Sequence, residues 1–202
     1  MNRMIYTIGR QFGSGGRNIG KYIAEKENIP FYDKELLEEA AKESGISEKY
    51  FEDYDEKIKK HFFQVMPVGT YSESSMPFVH KVILAQFDAI RKLAKKGPCV
   101  FVGRCADYIL RERPDVVRIF IRGDIETRKK RAVLQYGVPE NKVEQVLRDT
   151  DRSRAEYYTY YTGNPWNGIE TYDLILNSSR LEDAAAADVI IRYAKAMKGE
   201  LL

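Results

Sequence analysis

The feature that most constrains this chain is a glycine-rich turn between its first apolar run and its first amphipathic segment. Residues 4–8 form a short apolar run, rich in β-branched side chains, that predicts a strand. Residues 13–16 are Gly-Ser-Gly-Gly, and residues 18–27 then repeat apolar side chains at helical spacing. A strand, a glycine-rich turn and a helix in this order are typical of loops that bind phosphate.

The residue types in the turn suit that role. Glycine lacks Cβ, so successive backbone N–H groups can point toward one anion. The start of the helix adds free N–H donors and the positive end of the helix dipole. Arg17 stands where ordinary phosphate-binding loops have lysine, and Asn18 where they have the hydroxyl residue that contacts magnesium. A tight turn without a ligand is the alternative. We predict that the donor phosphates bind to Gly13, Ser14, Gly15, Gly16, Arg17 and Asn18.

Apolar runs and helical patterns alternate along the rest of the chain. Further strands are predicted at residues 29–32, 98–103, 116–121 and 173–176, and helices between them at positions that include residues 79–97, 141–157 and 181–197. The strands are apolar without strict alternation, which indicates that helices cover both faces of a parallel sheet. We therefore predict an α/β three-layer sandwich with a mainly parallel five-stranded sheet flanked by helices, formed by residues 1–202 as a single domain.

Composition excludes several other classes of protein. With 33 basic and 30 acidic residues, the net charge of +3 argues against general nucleic-acid binding. Cys99 and Cys105 make no disulfide framework, and the two histidines give no zinc-ligand spacing. No apolar run approaches the roughly 18 residues that a membrane span needs. We expect a cytoplasmic protein that binds neither nucleic acid nor membrane.

Further arginines lie where a phosphate-binding sheet would use them. Arg104 follows the predicted strand at residues 98–103, and parallel sheets bind ligands at the carboxyl ends of their strands. Residues 148–154 are Arg-Asp-Thr-Asp-Arg-Ser-Arg, which could form a binding site or only ion pairs three or four residues apart on a helix. Arg128 and Arg131 lie on a charged helix and, taken one at a time, are expected to be solvated.

Together with the sequence Phe-Gly-Ser-Gly-Gly-Arg at residues 12–17, these motifs resemble cytidylate kinases. More narrowly, the chain is similar to the cytidylate kinase-like family, in the nucleoside-monophosphate kinase branch of P-loop proteins. The resemblance follows the chain in order and is thin between residues 44 and 75. It implies a P-loop kinase-type sandwich with a helical acceptor-binding insertion at about residues 33–78 and a lid at about residues 128–154. It also implies the use of ATP and Mg²⁺ and a small-molecule nucleotide substrate.

The resemblance also implies roles for individual residues. Arg104 matches the arginine of a Gly-Arg-Asp motif that contacts the acceptor phosphate. Asp151 and Arg154 match an Asp-x-x-Arg pair that holds the nucleotide, and Asp33 matches an aspartate after the second strand. The implied catalytic residues are Arg17, Arg104, Arg131 and Arg148. The implied acceptor-binding residues are Asp33, Arg104, Asp151 and Arg154.

Departures from the cytidylate kinase pattern fall where the acceptor would be selected. Lys34 replaces a serine, Glu39 replaces an arginine, and Cys105 replaces the aspartate of Gly-Arg-Asp. The expected function is therefore ATP-dependent phosphoryl transfer to a nucleoside monophosphate, cytidylate-like, or to a related phosphorylated small molecule. A nucleotide-binding sensor or partner-binding protein of kinase fold, without turnover, is the alternative.

Several assignments have more than one interpretation. Asp33, Asp107 and Asp151 are all candidates to hold magnesium. The aromatic residues between 157 and 166, at spacings of three and four, predict a helical face packed into a core, with base stacking or a subunit contact as alternatives. The helix at residues 79–97 could pack internally or against a second copy of the chain, so a homodimer is one expectation.

Overall fold

The sheet is the frame on which everything else is positioned. The structure is a computed structural model that describes residues 4–33, residue 39 and residues 76–199. Five parallel strands form one sheet in the order β2-β3-β1-β4-β5. They are β1 (Ile5–Arg10), β2 (Phe31–Tyr32), β3 (Val100–Val102), β4 (Val116–Arg122) and β5 (Leu174–Asn177).

Helices cover both faces of the sheet, as the apolar strands predicted. In chain order they are α1 (Gly16–Glu27), α2 (Met76–Lys96), α3 (Ala106–Ile109), α4 (Ile125–Tyr136), α5 (Val143–Thr162) and α6 (Asp183–Met197). Residues of α1 and α6 pack on one face, where Ile19, Ile23 and Ile190 are fully buried. Residues of α2, α3 and α5 pack on the other. The predicted α/β three-layer sandwich is confirmed.

The strand order fixes where a ligand can bind. The chain moves from the central strand β1 to β2 and β3 on one side, and to β4 and β5 on the other. Ligands of open parallel sheets bind at the carboxyl ends of the strands where the order reverses, which here is the end of β1. The glycine-rich turn follows β1 directly, so the sheet places it at this switch point.

Some predicted boundaries differ from those observed. The short helix α3 was not predicted, because four residues are too few to show a helical period. The predicted helix at residues 141–157 is α5, preceded by a 3₁₀ turn at Glu140–Lys142. Most of the helical insertion expected at about residues 33–78 lies outside the described residues. No helix in the described ranges is long and apolar enough to cross a membrane.

The predicted aromatic face of α5 packs mostly as expected. Tyr157, Tyr158 and Tyr161 belong to the apolar layer with α2 and α3, and so does Trp166 beyond the helix end. Tyr160 departs from this pattern and is 55% exposed. The described part of α2 buries Ile83 and Ile90 in the same layer, so it packs internally. The homodimer stays a prediction.

One buried carboxylate in this layer lowers the stability of the fold in a pH-dependent way. Asp107 is 5% exposed and accepts a 2.6 Å hydrogen bond from the hydroxyl of Tyr158. Burial raises the pKa of Asp107, because the charged form loses its hydration, while the bond from Tyr158 opposes the shift. A raised native pKa means that the folded state holds the proton more tightly than the unfolded chain does. Ionisation of Asp107 therefore reduces stability as the pH rises through the native pKa.

We expect Asp107→Asn to be more stable than the wild type at neutral pH, because it removes the buried charge and keeps an acceptor for Tyr158. The difference should shrink as the pH falls toward about 4, the ordinary pKa of an aspartate. Urea denaturation of both proteins at pH 7 and near pH 4.5 measures this. A variant that is less stable than the wild type at pH 7 would contradict the burial argument.

Candidate active site

The glycine-rich turn adopts backbone angles that favour glycine. Gly13 and Gly15 have φ values of +75° and +80°. A Cβ on Gly13 would lie 2.6 Å from the carbonyl oxygen of Arg128, and one on Gly15 would overlap Nη1 of Arg131. Helix α1 begins directly after Gly15, without a side-chain cap and without an acidic residue in its first turn. The turn thus has the geometry of an anion-binding loop that ends at a helix N-terminus.

Two other strand ends hold the turn in place. The side-chain oxygen of Gln11 accepts a 3.0 Å hydrogen bond from the backbone N–H of Gly123, just after β4. The hydroxyl of Ser178, just after β5, is buried and donates to the carbonyl oxygen of Ser14. The turn is therefore fixed to the carboxyl ends of both strands on that side of β1.

Helices α4 and α5 dock on the turn through a buried ion pair. Arg128 donates a 2.8 Å hydrogen bond from Nε to the carbonyl oxygen of Phe12 and pairs with Asp151. Asp151 in turn accepts a 2.7 Å hydrogen bond from the backbone N–H of Phe12. The Arg128 and Asp151 side chains are only 8% and 17% exposed. The expectation that Arg128 is solvated is wrong, because the turn supplies partners that a helical pattern cannot show.

Arg131, one turn later on α4, makes a second connection of this kind. Its guanidinium donates a 2.8 Å hydrogen bond to the carbonyl oxygen of Ser14 and lies 2.8 Å from Oδ1 of Asp183. The two charged side chains are 16% and 15% exposed, so Arg131 is not a solvated residue either. Asp183 opens helix α6, so this pair connects the predicted lid, the turn and the last helix.

The aromatic ring of Phe12 completes the contact between the turn and the predicted lid. It packs against the small apolar cluster of Ala132, Val143 and Leu147, which joins α4 to α5. The ring of Tyr136 lies 5.1 Å from the ring of Phe12, measured between centroids. Residues 128–154 are thus docked on the glycine-rich turn in this structure.

Four arginines gather beside the turn at the carboxyl edge of the sheet. We call Arg10, Arg17, Arg104 and Arg154 the arginine cluster. Arg17 pairs with Asp33 at 2.6 Å, and Arg154 donates a 2.9 Å hydrogen bond to the carbonyl oxygen of Arg10. The charges of Arg104 and Arg17 both act on Arg10, and the charge of Arg10 acts on Arg154.

Like charges held this close indicate a site for an anion. Burial and the charge of Arg10 lower the pKa of Arg154 to about 9, so its guanidinium is still charged at neutral pH. Burial and the neighbouring arginines likewise lower the pKa of Arg10, against the opposing effect of Asp33. Phosphate oxygens would relieve this repulsion, and planar guanidinium groups bind them in pairs.

The segment that presents Arg104 has an uncommon backbone. Gly103, Arg104 and Cys105 have φ values of +77°, +58° and +57°, so three successive residues are left-handed. Two of them are not glycine, and a left-handed backbone costs free energy in such residues. Strained conformations of this kind cluster at functional sites. The guanidinium of Arg10 lies against Gly103 and leaves no room for a Cβ there. The strained turn thus brings Arg104 to the same place as Arg10.

The other predicted site residues are placed as follows. Asn18 is half-buried in the first turn of α1, and Arg148 is exposed on α5. Cys105 is buried, which raises the pKa of its thiol and keeps it neutral, so it is no nucleophile. Glu39 pairs with Lys96 at 3.0 Å, at the end of α2 that precedes β3, whereas Arg104 follows β3. Nucleotide binding by Asp151 and Arg154 stays a prediction. In this structure Asp151 contacts the backbone of Phe12, and Arg154 contacts that of Arg10 at the end of β1.

The candidates for a magnesium ligand separate in the structure. Asp107 is buried against Tyr158, Asp151 is paired with Arg128, and Asp33 is paired with Arg17 beside the arginine cluster. Within the described residues, no three acidic, cysteine or histidine side chains form a group that could hold a metal. Mg²⁺ in kinases binds mainly phosphate oxygens and water and needs only one or two carboxylates. Asp33 fits that requirement.

Sequence reasoning missed several of these residues. Arg10 and Ser178 reach the turn because they lie at the ends of β1 and β5, and Asp183 because α6 begins beside it. Only Arg10 had a signal, a weak one, since it ends the first strand next to the glycines. Asp183 pairs with Arg131, whose guanidinium lies over Gly15. Nothing along the chain indicated this contact, since Asp183 lies more than 160 residues after Gly15.

A model of the cytidylate kinase-like family matches residues 5–180. The chain belongs to this family. The resemblance inferred from the motifs is confirmed, and membership together with the fold supports a phosphotransferase.

Several known proteins are similar to this family member. The cytidylate kinase of Methanocaldococcus jannaschii is 24% identical over 192 residues, 93% of this chain and 95% of that protein. That of Pyrobaculum aerophilum is 26% identical over 192 residues, 94% of this chain and 92% of that protein. An uncharacterized protein from Eubacterium ventriosum has a solved structure with 32% identity and a TM-score of 0.74, covering 96% of this chain and 99% of that chain. Shikimate kinase from Acinetobacter baumannii, at 14% identity and a TM-score of 0.56, shares the fold, covering 100% of this chain and 97% of its own.

Gly15→Ala tests the close approach of Arg131 to the turn. The variant must adopt a left-handed backbone, which costs about 1–2 kcal/mol, and must also displace Arg131. Gly163→Ala is the matched control, because Gly163 has φ +72° and open space around its missing Cβ. We expect Gly15→Ala to lose more stability than the control and to weaken ATP binding, measured by urea denaturation and ATP titration. Equal losses in both variants would contradict the arrangement.

Asp151→Asn tests the docking of the lid on the turn. Burial raises the pKa of Asp151 as it does that of Asp107, but Asp151 neutralises a buried guanidinium. Asparagine would leave Arg128 buried without its charged partner, so we expect a loss of about 3 kcal/mol in the free energy of unfolding. The control is Asp149→Asn on the same helix, whose partner Arg152 is half exposed, and we expect a change within about 0.5 kcal/mol. Urea denaturation measures both. Similar small losses in the two variants would show that α5 is not held by Asp151.

Proposed function

We propose that this chain transfers the terminal phosphoryl group of ATP to a pyrimidine nucleoside monophosphate, with Mg²⁺. The single observation that carries the proposal is the arginine cluster beside the glycine-rich turn. Four guanidinium groups lie together with one paired carboxylate, Asp33, between the ends of β1, β2 and β3. Membership of the cytidylate kinase-like family supports the class of acceptor.

The glycine-rich turn is the proposed site of the donor. Residues 13–18 would hold the triphosphate through their backbone N–H groups and the start of α1. The first turn of α1 has no acidic side chain that would repel the phosphates. Arg131 already lies over Gly15 and is oriented by Asp183. A guanidinium in that place can neutralise charge on the phosphoryl group as it is transferred.

The arginine cluster is the proposed site of the acceptor phosphate. The left-handed backbone of Arg104 holds its side chain in the cluster. The guanidinium of Arg10 lies against Gly103, the residue before Arg104. Two planar donors at one point can bind several phosphate oxygens at once. The insertion at residues 33–78 and the lid at residues 128–154 would enclose the two substrates within the single domain. Excluding water in this way would prevent hydrolysis of ATP.

The chemistry then asks little covalent work of the protein. An oxygen of the acceptor phosphate bonds to the γ-phosphorus of ATP while the bond from that phosphorus to the bridging oxygen breaks. The products are ADP and a nucleoside diphosphate, and no covalent enzyme intermediate forms. The protein contributes alignment and charge neutralisation, which arginines supply without gaining or losing protons. Bound Mg²⁺ would supply further neutralisation of the phosphate oxygens, with Asp33 the carboxylate placed to help hold it.

Arg104→Gly tests the proposed function without straining the backbone. Arg104 has φ +58°, so glycine adopts this backbone without strain while it removes the whole side chain, guanidinium included. The assay is ATP consumption with magnesium over a panel of nucleoside monophosphates. We expect the wild type to turn over a pyrimidine monophosphate and Arg104→Gly to lose at least about 100-fold in kcat/KM.

Arg192→Ala is the matched control for loss of a cation, because Arg192 is exposed on α6 outside the cluster. It should keep wild-type kinetics. Full activity in Arg104→Gly would contradict the proposed acceptor site. Tight ATP binding by the wild type with no turnover of any monophosphate would favour the alternative, a nucleotide-binding sensor of kinase fold.

A further inference from the structure

The side chain of Arg17 lies at the end of β2 and not over the glycine-rich turn from which it starts. Its Nε donates a 2.6 Å hydrogen bond to Oδ2 of Asp33, just after β2. Its guanidinium lies 5.9 Å from the centre of the Phe31 ring, on β2 itself. In an ordinary phosphate-binding loop, the cation at this position reaches the phosphates of the donor. The cation of this chain is directed to another part of the sheet.

The close packing of α1 on the sheet explains this direction. A Cβ on Gly20 would lie 3.2 Å from the side chain of Phe31 on β2 and 3.2 Å from that of Val102 on β3. Gly20 comes one helical turn after Arg17, so the two residues share a face of α1. The missing Cβ lets this face approach the two strands and brings the side chain of Arg17 to the end of β2.

The pairing with Asp33 uses only part of the Arg17 guanidinium. By comparison, Arg118 uses both Nε and Nη2 to bind the two carboxylate oxygens of Asp173. Arg17 uses Nε alone, and neither of its Nη groups donates a hydrogen bond to the described residues. The Arg17 side chain is 40% exposed, so a ligand can reach these groups. Asp33 thus holds one side of the guanidinium and leaves the two Nη groups available.

Arg10 connects Arg17 with the proposed site of the acceptor phosphate. Its side chain lies between two glycines, since a Cβ on Gly16 would be 2.6 Å from its Cβ and one on Gly103 would be 2.1 Å from its Nη1. Arg17 follows Gly16 in the chain, and Arg104 follows Gly103. The charges of Arg17 and Arg104 both act on Arg10. The three cations are therefore neighbours at the ends of β1 and β3.

We propose that the side chain of Arg17 binds the phosphate of the acceptor, while Arg131, over Gly15, is the side-chain cation of the donor site. This inference rests on the proposed function and divides the cations around one turn between the two substrates. The two Nη groups of Arg17 can bind two phosphate oxygens together. Lysine has no planar fork that could bind Asp33 on one side and a phosphate on the other. The proposal therefore explains why arginine occupies the position of the usual lysine.

Arg17→Lys separates the two roles, because it restores the residue of an ordinary phosphate-binding loop. A lysine would serve ATP at this position, but it cannot replace the fork of Nη groups. We expect KM for the pyrimidine monophosphate to rise at least about tenfold, the loss of one charge-assisted hydrogen bond, while KM for ATP changes less than about twofold. Lys21→Ala, exposed on the same helix, is the control and should change neither constant.

Arg17→Gln and Arg131→Gln test the division of the cations without turnover. The measurement is the affinity for ATP with Mg²⁺, by calorimetry and without an acceptor. Glutamine at position 131 can still donate to the carbonyl oxygen of Ser14, which Arg131 binds. We expect Arg17→Gln to bind ATP within about twofold of the wild type, and Arg131→Gln to bind it at least about tenfold more weakly.

Three results would overturn the inference while the proposed function stands. They are a loss of ATP affinity in Arg17→Gln as large as that in Arg131→Gln, an unchanged ATP affinity in Arg131→Gln, and an unchanged KM for the monophosphate in Arg17→Lys. Failure of the wild type to phosphorylate any monophosphate would overturn the proposed function first, and this inference with it.

Discussion

The contact on which the rest of the site depends is the docking of two arginines from α4 on the glycine-rich turn. Arg128 holds the backbone of Phe12 with the help of Asp151, and Arg131 holds the backbone of Ser14 with the help of Asp183. Each guanidinium reaches a backbone carbonyl and a carboxylate from another part of the chain. The turn is thereby shaped by helices that lie more than 110 residues further along the sequence.

This docking explains why the turn keeps its glycines and where its positive charge comes from. Gly13 and Gly15 are needed for positive φ and also for the close approach of Arg128 and Arg131. In an ordinary phosphate-binding loop one lysine supplies the cation, whereas here Arg17 turns toward Asp33. The charge beside the turn comes from the arginine cluster and from Arg131 together. Arginine in place of lysine is therefore part of a different distribution of charge within the same fold.

Local sequence patterns predicted the frame of the molecule well. The apolar strands, the glycine-rich turn and Arg104 at a strand end are features of short segments, and the structure confirms the sheet that they imply. Patterns failed for contacts made between distant segments. Arg128 and Arg131 were expected to be solvated, because a helical pattern does not show partners from distant segments. Those partners are Phe12, Ser14 and two carboxylates. The left-handed backbone at Arg104 and Cys105 was equally hidden, since neither residue type signals it.

The glycine-rich turn and the arginine cluster beside it are proposed to hold the donor and the acceptor phosphates next to each other. The most direct measurement is the affinity of a single molecule in which adenosine and cytidine are joined by five phosphates, compared by calorimetry with ATP and with cytidine monophosphate. We expect the joined molecule to bind at least about 100-fold more tightly than either nucleotide alone, because its second half binds without a second loss of translational and rotational freedom. Binding no tighter than that of ATP would show that the two phosphate sites are not adjacent.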